Sequence, residues 1–232
     1  MKRSAKYAAL LATATLSLGV LLGGCHTKPE ASGARQFLQQ LDGLEVIPSR
    51  PDAPGYSRGC RKGEGCVFGP AWSDAVSASV KDARNGCDQA SDVLRSELSG
   101  VVIKAGTHGC TPLSGTLQDP YTGATIQYVR GQQPVRVSLD HIVPLRVAWD
   151  LGANRWELQR RRDLAGDPRN LVAVSAPANS AKGDSTPADR WKPQSGYRCI
   201  YAERYVDVLY TYRLPVPARD KAALTSMLRP CP

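Results

Sequence analysis

Seven cysteines (Cys25, Cys60, Cys66, Cys87, Cys110, Cys199 and Cys231) constrain this 232-residue chain more than any other feature. They are too many for an ordinary cytosolic domain. None stand as the C-x-x-C pairs that tight zinc sites use, so an oxidising compartment is the natural setting. An odd count leaves one over, and Cys25 stands apart from the rest. It closes a leader in which Lys2, Arg3 and Lys6 precede an apolar stretch from Tyr7 to Leu22, followed by Gly23-Gly24. Basic, apolar and small residues in that order make an export signal over 1–24. The stretch also carries Thr13, Thr15 and Ser17, and it is shorter than the about 20 apolar residues that span a bilayer.

Leu22-Gly23-Gly24-Cys25 resembles the bacterial lipobox, in which the cysteine is acylated and becomes the new N-terminus. That resemblance implies lipidation of Cys25 and a chain held at the cell envelope through its lipid, a soluble secreted product being the alternative. Each buried methylene contributes about 0.8 kcal/mol, so two or three acyl chains anchor durably. His26 follows, so the acidic signal for inner-membrane retention is absent. Six cysteines remain, an even set with about 15 possible pairings. Proximity favours Cys60–Cys66, Cys87–Cys110 and Cys199–Cys231, the two longer loops each gaining roughly 3 kcal/mol.

Pro29, Pro48, Pro51 and Pro54, with scattered Gly and Ser, make 25–55 read as a flexible tether, although 34–44 has the pattern of a short helix. The folded domain is expected at 56–232. Apolar residues at 42% and charged residues at 22% are globular values, which excludes a wholly disordered chain; a polytopic membrane protein is excluded too. The net charge of +9 tolerates a polyanion without identifying one. Periodicity predicts helices over 90–98, 155–164, 176–182, 198–213 and 219–228, and a helical turn from Pro144 to Ala148. Short strands are expected over 101–104, 115–118, 126–129, 135–139 and 171–174. The class is α+β, a small mixed sheet with helices around it, stapled by disulfides.

One segment carries chemistry. Leu139-Asp140-His141-Ile142-Val143-Pro144 sets a carboxylate beside an imidazole at a strand end; Asn170 follows, then Asn179-Ser180-Ala181-Lys182-Gly183. This order resembles the HNH endonuclease motif of the ββα-metal fold. It is most similar to exported members related to the C-terminal HNH domain of modification-dependent restriction enzymes. Gly86-Cys87, Asp119-Pro120-Tyr121-Thr122-Gly123, Ala148-Trp149 and the tail from Cys199 to Cys231 extend the likeness over about 80–232.

The resemblance implies a ββα-metal core and a phosphodiesterase that hydrolyses DNA, or RNA, with low sequence preference. It assigns His141 as general base and Asn170 as the residue that orients the site. Asp140 and Asn179 become ligands of one divalent metal, Mg²⁺ ahead of Mn²⁺, and Lys182 and Arg146 contacts for substrate phosphates. Those residue types suit the chemistry: a hard cation takes oxygen ligands and keeps waters, and an imidazole titrating near neutrality can accept a proton from water. The third motif position is Asn rather than His, which favours an oxygen-rich site. Ser138 stands where some relatives carry another acid. His108, beside Gly109-Cys110, belongs to a loop. Trp149, Trp156, Trp191 and the tyrosines at 197, 201, 205 and 212 read as packing, while Arg160-Arg161-Arg162 suits a solvated face or a DNA backbone equally. The partner expected is nucleic acid, DNA before RNA, bound by a monomer with no protein partner inferable. The alternative is a lipoprotein that keeps the HNH scaffold for binding without turnover.

Overall fold

The computed structural model describes residues 32–232; the leader and Cys25 lie outside them. Helix α1 (Ser32–Asp42) and strand β1 (Val46–Ile47) come first, then α2 (Gln89–Glu97) and the strands β2 (Leu98–Ile103), β3 (Pro112–Gln118), β4 (Thr125–Val129) and β5 (Val137–His141). Helices α3 (Leu145–Asp150) and α4 (Leu158–Gly166) lead to β6 (Leu171–Ser175) and α5 (Ala176–Lys182). The chain ends in α6 (Arg198–Tyr212), β7 (Val216–Pro217) and α7 (Ala218–Leu228). No helix among the described residues is long and apolar enough to cross a membrane.

The larger core forms around α6, whose Tyr201, Tyr205, Val206, Val208 and Leu209 are all buried. The expected tether is corrected here for its described part, 32–55. Phe37, Leu38 and Leu41 recur at helical spacing on α1, and Leu41 is fully buried in the core with Leu44 and Ala53. Helix α1 packs on α6 and α7, and β1 pairs in parallel with β7. Further along, the Ala53 amide donates to Asp150 Oδ1 (3.1 Å) and Trp149 Nε1 donates to the Pro54 carbonyl (3.1 Å). The prolines interrupt regular structure without releasing the chain from the surface it covers.

The single mixed sheet is corrected as well. Three small sheets form instead: the β1–β7 pair, the antiparallel β2–β3–β4 meander and the antiparallel β5–β6 pair. The β5–β6 ladder stays two-stranded because side chains occupy both outer edges. On β6, Glu97 Oε2 accepts the Ala173 amide (2.6 Å) and Arg204 donates to the Leu171 carbonyl (2.5 Å). On β5, Asn179 Nδ2 donates to the Leu139 carbonyl (3.0 Å) and Lys182 Nζ to the His141 carbonyl (2.9 Å). Residues 179 and 182 lie one helical turn apart, so both reach the same strand edge. Helix α5 starts at Ser175, whose Oγ accepts the Ala178 amide, and stops at Gly183 with φ +50°.

All three disulfides pair as proximity favours: Cys60–Cys66, Cys87–Cys110 and Cys199–Cys231. The last joins the first turn of α6 to the chain end beyond α7. Replacing Cys199 and Cys231 together by alanine is expected to cost about 3 kcal/mol in urea unfolding, with the denaturant slope altered by a looser unfolded state.

Candidate active site

Strand alternation sends Asp140 and His141 to opposite faces of β5. Asp140 is 6% exposed. It accepts the Tyr121 hydroxyl at 2.5 Å and the Lys182 ammonium at 2.9 Å. Burial pushes its carboxyl up from the ordinary range, and the ammonium and hydroxyl pull it back. Tyr121 arrives there from a rigid turn: Asp119 is buried and accepts the Tyr121 amide and the Thr122 hydroxyl, while its own amide donates to the Ala124 carbonyl.

His141 faces α4. Its Nε2 lies 2.9 Å from the Ala165 carbonyl. A carbonyl only accepts, so Nε2 carries the proton and Nδ1 keeps the lone pair. The Trp72 indole stacks on the ring, centroids 5.8 Å apart and planes 10° off parallel. Trp72 holds a left-handed backbone (φ +61°) to do so, with its carbonyl accepting the Gln89 amide (3.2 Å). Burial lowers the His141 pKa to about 4, and the cations of Arg58 and Lys182 also disfavour the imidazolium. Between pH 6.5 and 4 the unfolded chain therefore binds the proton that the folded chain refuses, and stability rises with pH through that window. Lowering pH from 7 to 4 is expected to cost the wild type up to about 3 kcal/mol more than His141→Gln, read from paired urea titrations.

Asn170 is fully buried between these elements. Its Oδ1 accepts the Val143 amide (2.8 Å), its Nδ2 donates to the Val143 and Leu164 carbonyls, and its own carbonyl accepts the Ile142 amide (2.8 Å). It clamps the turn after His141 to the end of α4.

Asp140, His141 and Asn179 share a cavity of about 330 Å³, also walled by Tyr56, Arg58 and Trp72. No group of three or more His, Cys, Asp or Glu among the described residues could hold a metal ion, which disfavours a tight zinc-type centre. Apart from the His141 imidazole, the donors that face the cavity are oxygens. Asn179 spends its Nδ2 on Ser138 and Leu139, and its Oδ1 has no partner among the described residues; Asp140 and the rim residue Asp184 supply carboxylates. That set fits a hard cation that keeps most of its waters.

Two substrate contacts are corrected. Lys182 is 1% exposed, its ammonium held by Asp140 and the His141 carbonyl, so it cannot meet a phosphate outside. Arg146 gives its guanidinium to Asp150 (3.1 Å) and Asp52 and lies over the Tyr56 ring. Two arginines of the run 160–162 are engaged within the fold: Arg160 stacks on Trp156 and donates to the Tyr212 carbonyl, and Arg161 lies over Trp149. Arg58 takes the place at the cavity that those residues were expected to hold. Its Nη1 donates to the Gly69 carbonyl (2.9 Å), and its other N–H groups have no partner among the described residues. Arg58, Tyr56, Trp72 and Tyr121 escaped the sequence reading. Tyr121 lies in the 119–123 segment of the family likeness, whereas the other three carry no local signal, since only the tertiary fold brings 56–72 to β5. His108 occupies a left-handed turn position between β2 and β3.

Comparison with known proteins agrees with the motif. The family described as GmrSD restriction endonucleases, C-terminal domain, matches residues 88–227. A curated relative from Arthroderma benhamiae, described as an uncharacterized secreted protein, is 35% identical over 208 residues, covering 88% of this chain and 89% of the relative. No solved structure matches. With more than half its length matched and a relative aligned over nearly all of both chains, this chain belongs to the family of the C-terminal domain of GmrSD restriction endonucleases.

Proposed function

We propose that this chain is an exported endonuclease that hydrolyses phosphodiester bonds of DNA, held at the cell envelope through a lipid on Cys25. One observation carries the catalytic part: an imidazole whose Nε2–H is fixed by the Ala165 carbonyl, leaving Nδ1 as a base at a cavity lined by oxygen donors. Nδ1 takes the proton of the attacking water. The Trp72 stack and the Ala165 bond hold the ring so that its orientation is set before substrate arrives. Asn170 fixes the turn behind it. Arg58 offers its unpaired N–H groups to the oxygens of the scissile phosphate, where charge grows in the transition state. Asp140, through its carboxylate, and Asn179, through Oδ1, would hold the divalent ion. When bound, that ion would polarise the phosphate and offset the charge on the leaving oxygen. Tyr121 and Lys182 keep the Asp140 carboxylate ionised and aimed.

The test is plasmid nicking by purified 25–232. Nicking is expected with Mg²⁺ or Mn²⁺ and lost on adding EDTA, recovering when the metal is returned. Undiminished nicking in EDTA would sink the metal assignment. The already paired Asp140 favours a second reading, a scaffold that binds nucleic acid without turnover. Equal, negligible nicking by the wild type and Asp140→Ala, with DNA still retained in a gel shift, would favour it.

A further inference from the structure

A second cavity, of about 340 Å³, opens along β5 beside the first, and the two share Trp72 and Leu139. Strand alternation puts Leu139 on the same face as His141, two residues or roughly 7 Å away. The Trp72 indole and the Tyr128 ring line this cavity, and both rest on the smaller core cluster beneath. Gln132, Gln133 and Arg136 line its polar side, and none of their side chains has a hydrogen-bond partner among the described residues. Val129 and Val135 stand at it 51% exposed, an apolar rim left open to water. No carboxylate lines it, and Arg136 is its one charged side chain.

We infer that this cavity holds the base of the nucleotide adjoining the scissile phosphate, in a strand unpaired at that point; the inference rests on the nuclease reading above. The volume lies at the small end of ligand sites, about 300–1,000 Å³, which suits a single nucleoside. Aromatic rings stack on a base face, and carboxamides with both donor and acceptor can meet any base edge. A cavity with a cation and no acid accepts a ligand carrying phosphate and rejects a metal ion. In a duplex both faces of each base are covered by neighbours, so only a splayed or single strand can deliver one. The substrate class is therefore unpaired or locally melted nucleic acid. Base preference is weak, because stacking and adaptable amides tolerate all four bases. Trp72, touching His141 on one side and this cavity on the other, aligns the phosphate by seating its neighbour.

The experiment is binding of a fluorescent single-stranded oligonucleotide to His141→Ala 25–232, scanned with one abasic residue at each position. One abasic position is expected to weaken binding about tenfold, within the range found for removing a stacked base. Tyr128→Ala should cause a similar loss and abolish the penalty of the abasic residue, since both remove the same contact. Val135→Trp, at an exposed position where folding is not at stake, should block binding to the same extent, and a matched duplex should bind more weakly than the single strand. A flat abasic scan with retained affinity would overturn the base site and leave the nuclease reading standing. Absence of any nucleic-acid binding at low salt would overturn both.

Discussion

His141→Ala is expected to lower the DNA-cleavage rate by roughly 10²–10⁴-fold, the range over which a positioned general base acts. The effect should fall on turnover and leave affinity for the oligonucleotide nearly unchanged, because in the proposed mechanism the ring meets the attacking water and not the phosphate. Folding needs its own readout, because the variant also gives up the bond to the Ala165 carbonyl. Thermal melting of the variant beside the wild type separates the two effects. Full activity in a contaminant-free His141→Ala preparation would remove the imidazole from the mechanism.

Lys182→Met carries the largest expected loss of stability. It keeps the length of the side chain and removes the ammonium that pairs with Asp140 and satisfies the His141 carbonyl. Breaking a buried pair by deleting one partner costs about 3–5 kcal/mol, a large share of the roughly 5–15 kcal/mol that holds a domain together. Urea unfolding gives the number. Without its counter-charge the Asp140 carboxyl rises further above its unfolded value, so the folded variant takes up a proton the unfolded chain releases. The deficit should shrink as pH falls toward 5, and Asp140→Asn combined with Lys182→Met should recover much of the loss. A variant as stable as the wild type would mean that the pair holds nothing.

Much of the scaffold was legible in local chemistry. Helix α5 forms at its expected bounds, 176–182, and the structure shows what marks both limits: a capping serine, a proline in the first turn and a glycine at the end. The six cysteines paired as nearest neighbours because each bridge closes a short loop. The β1–β7 pair was not legible: β1 is two residues long and its partner lies some 170 positions away, a contact no window of sequence contains. The apolar stripe at 37, 38 and 41 was visible, but nearby prolines outweighed it, and only α6 and α7 could show that a surface waited for it. Lys182 illustrates the same limit at the site. A lysine at a helix end reads as a solvated cation, and nothing nearby in the chain announces that Asp140 and Tyr121 will enclose it. Arg58 and Trp72 lie before the family-matched segment and reach the site only through the fold, so the motif locates the polar groups of the candidate site but not the walls around them.

Side chains from α2, α5 and α6 bond to both outer edges of the β5–β6 ladder, which interrupts the row of backbone groups a foreign strand would join. A crowded setting brings other polypeptides against any exposed strand edge. With Asn179 and Lys182 on the β5 carbonyls next to His141, and Glu97 and Arg204 on the apolar β6, the ladder resists self-association at both edges. Substitutions in α5 should therefore be judged by solubility as well as by turnover, since one helix guards both.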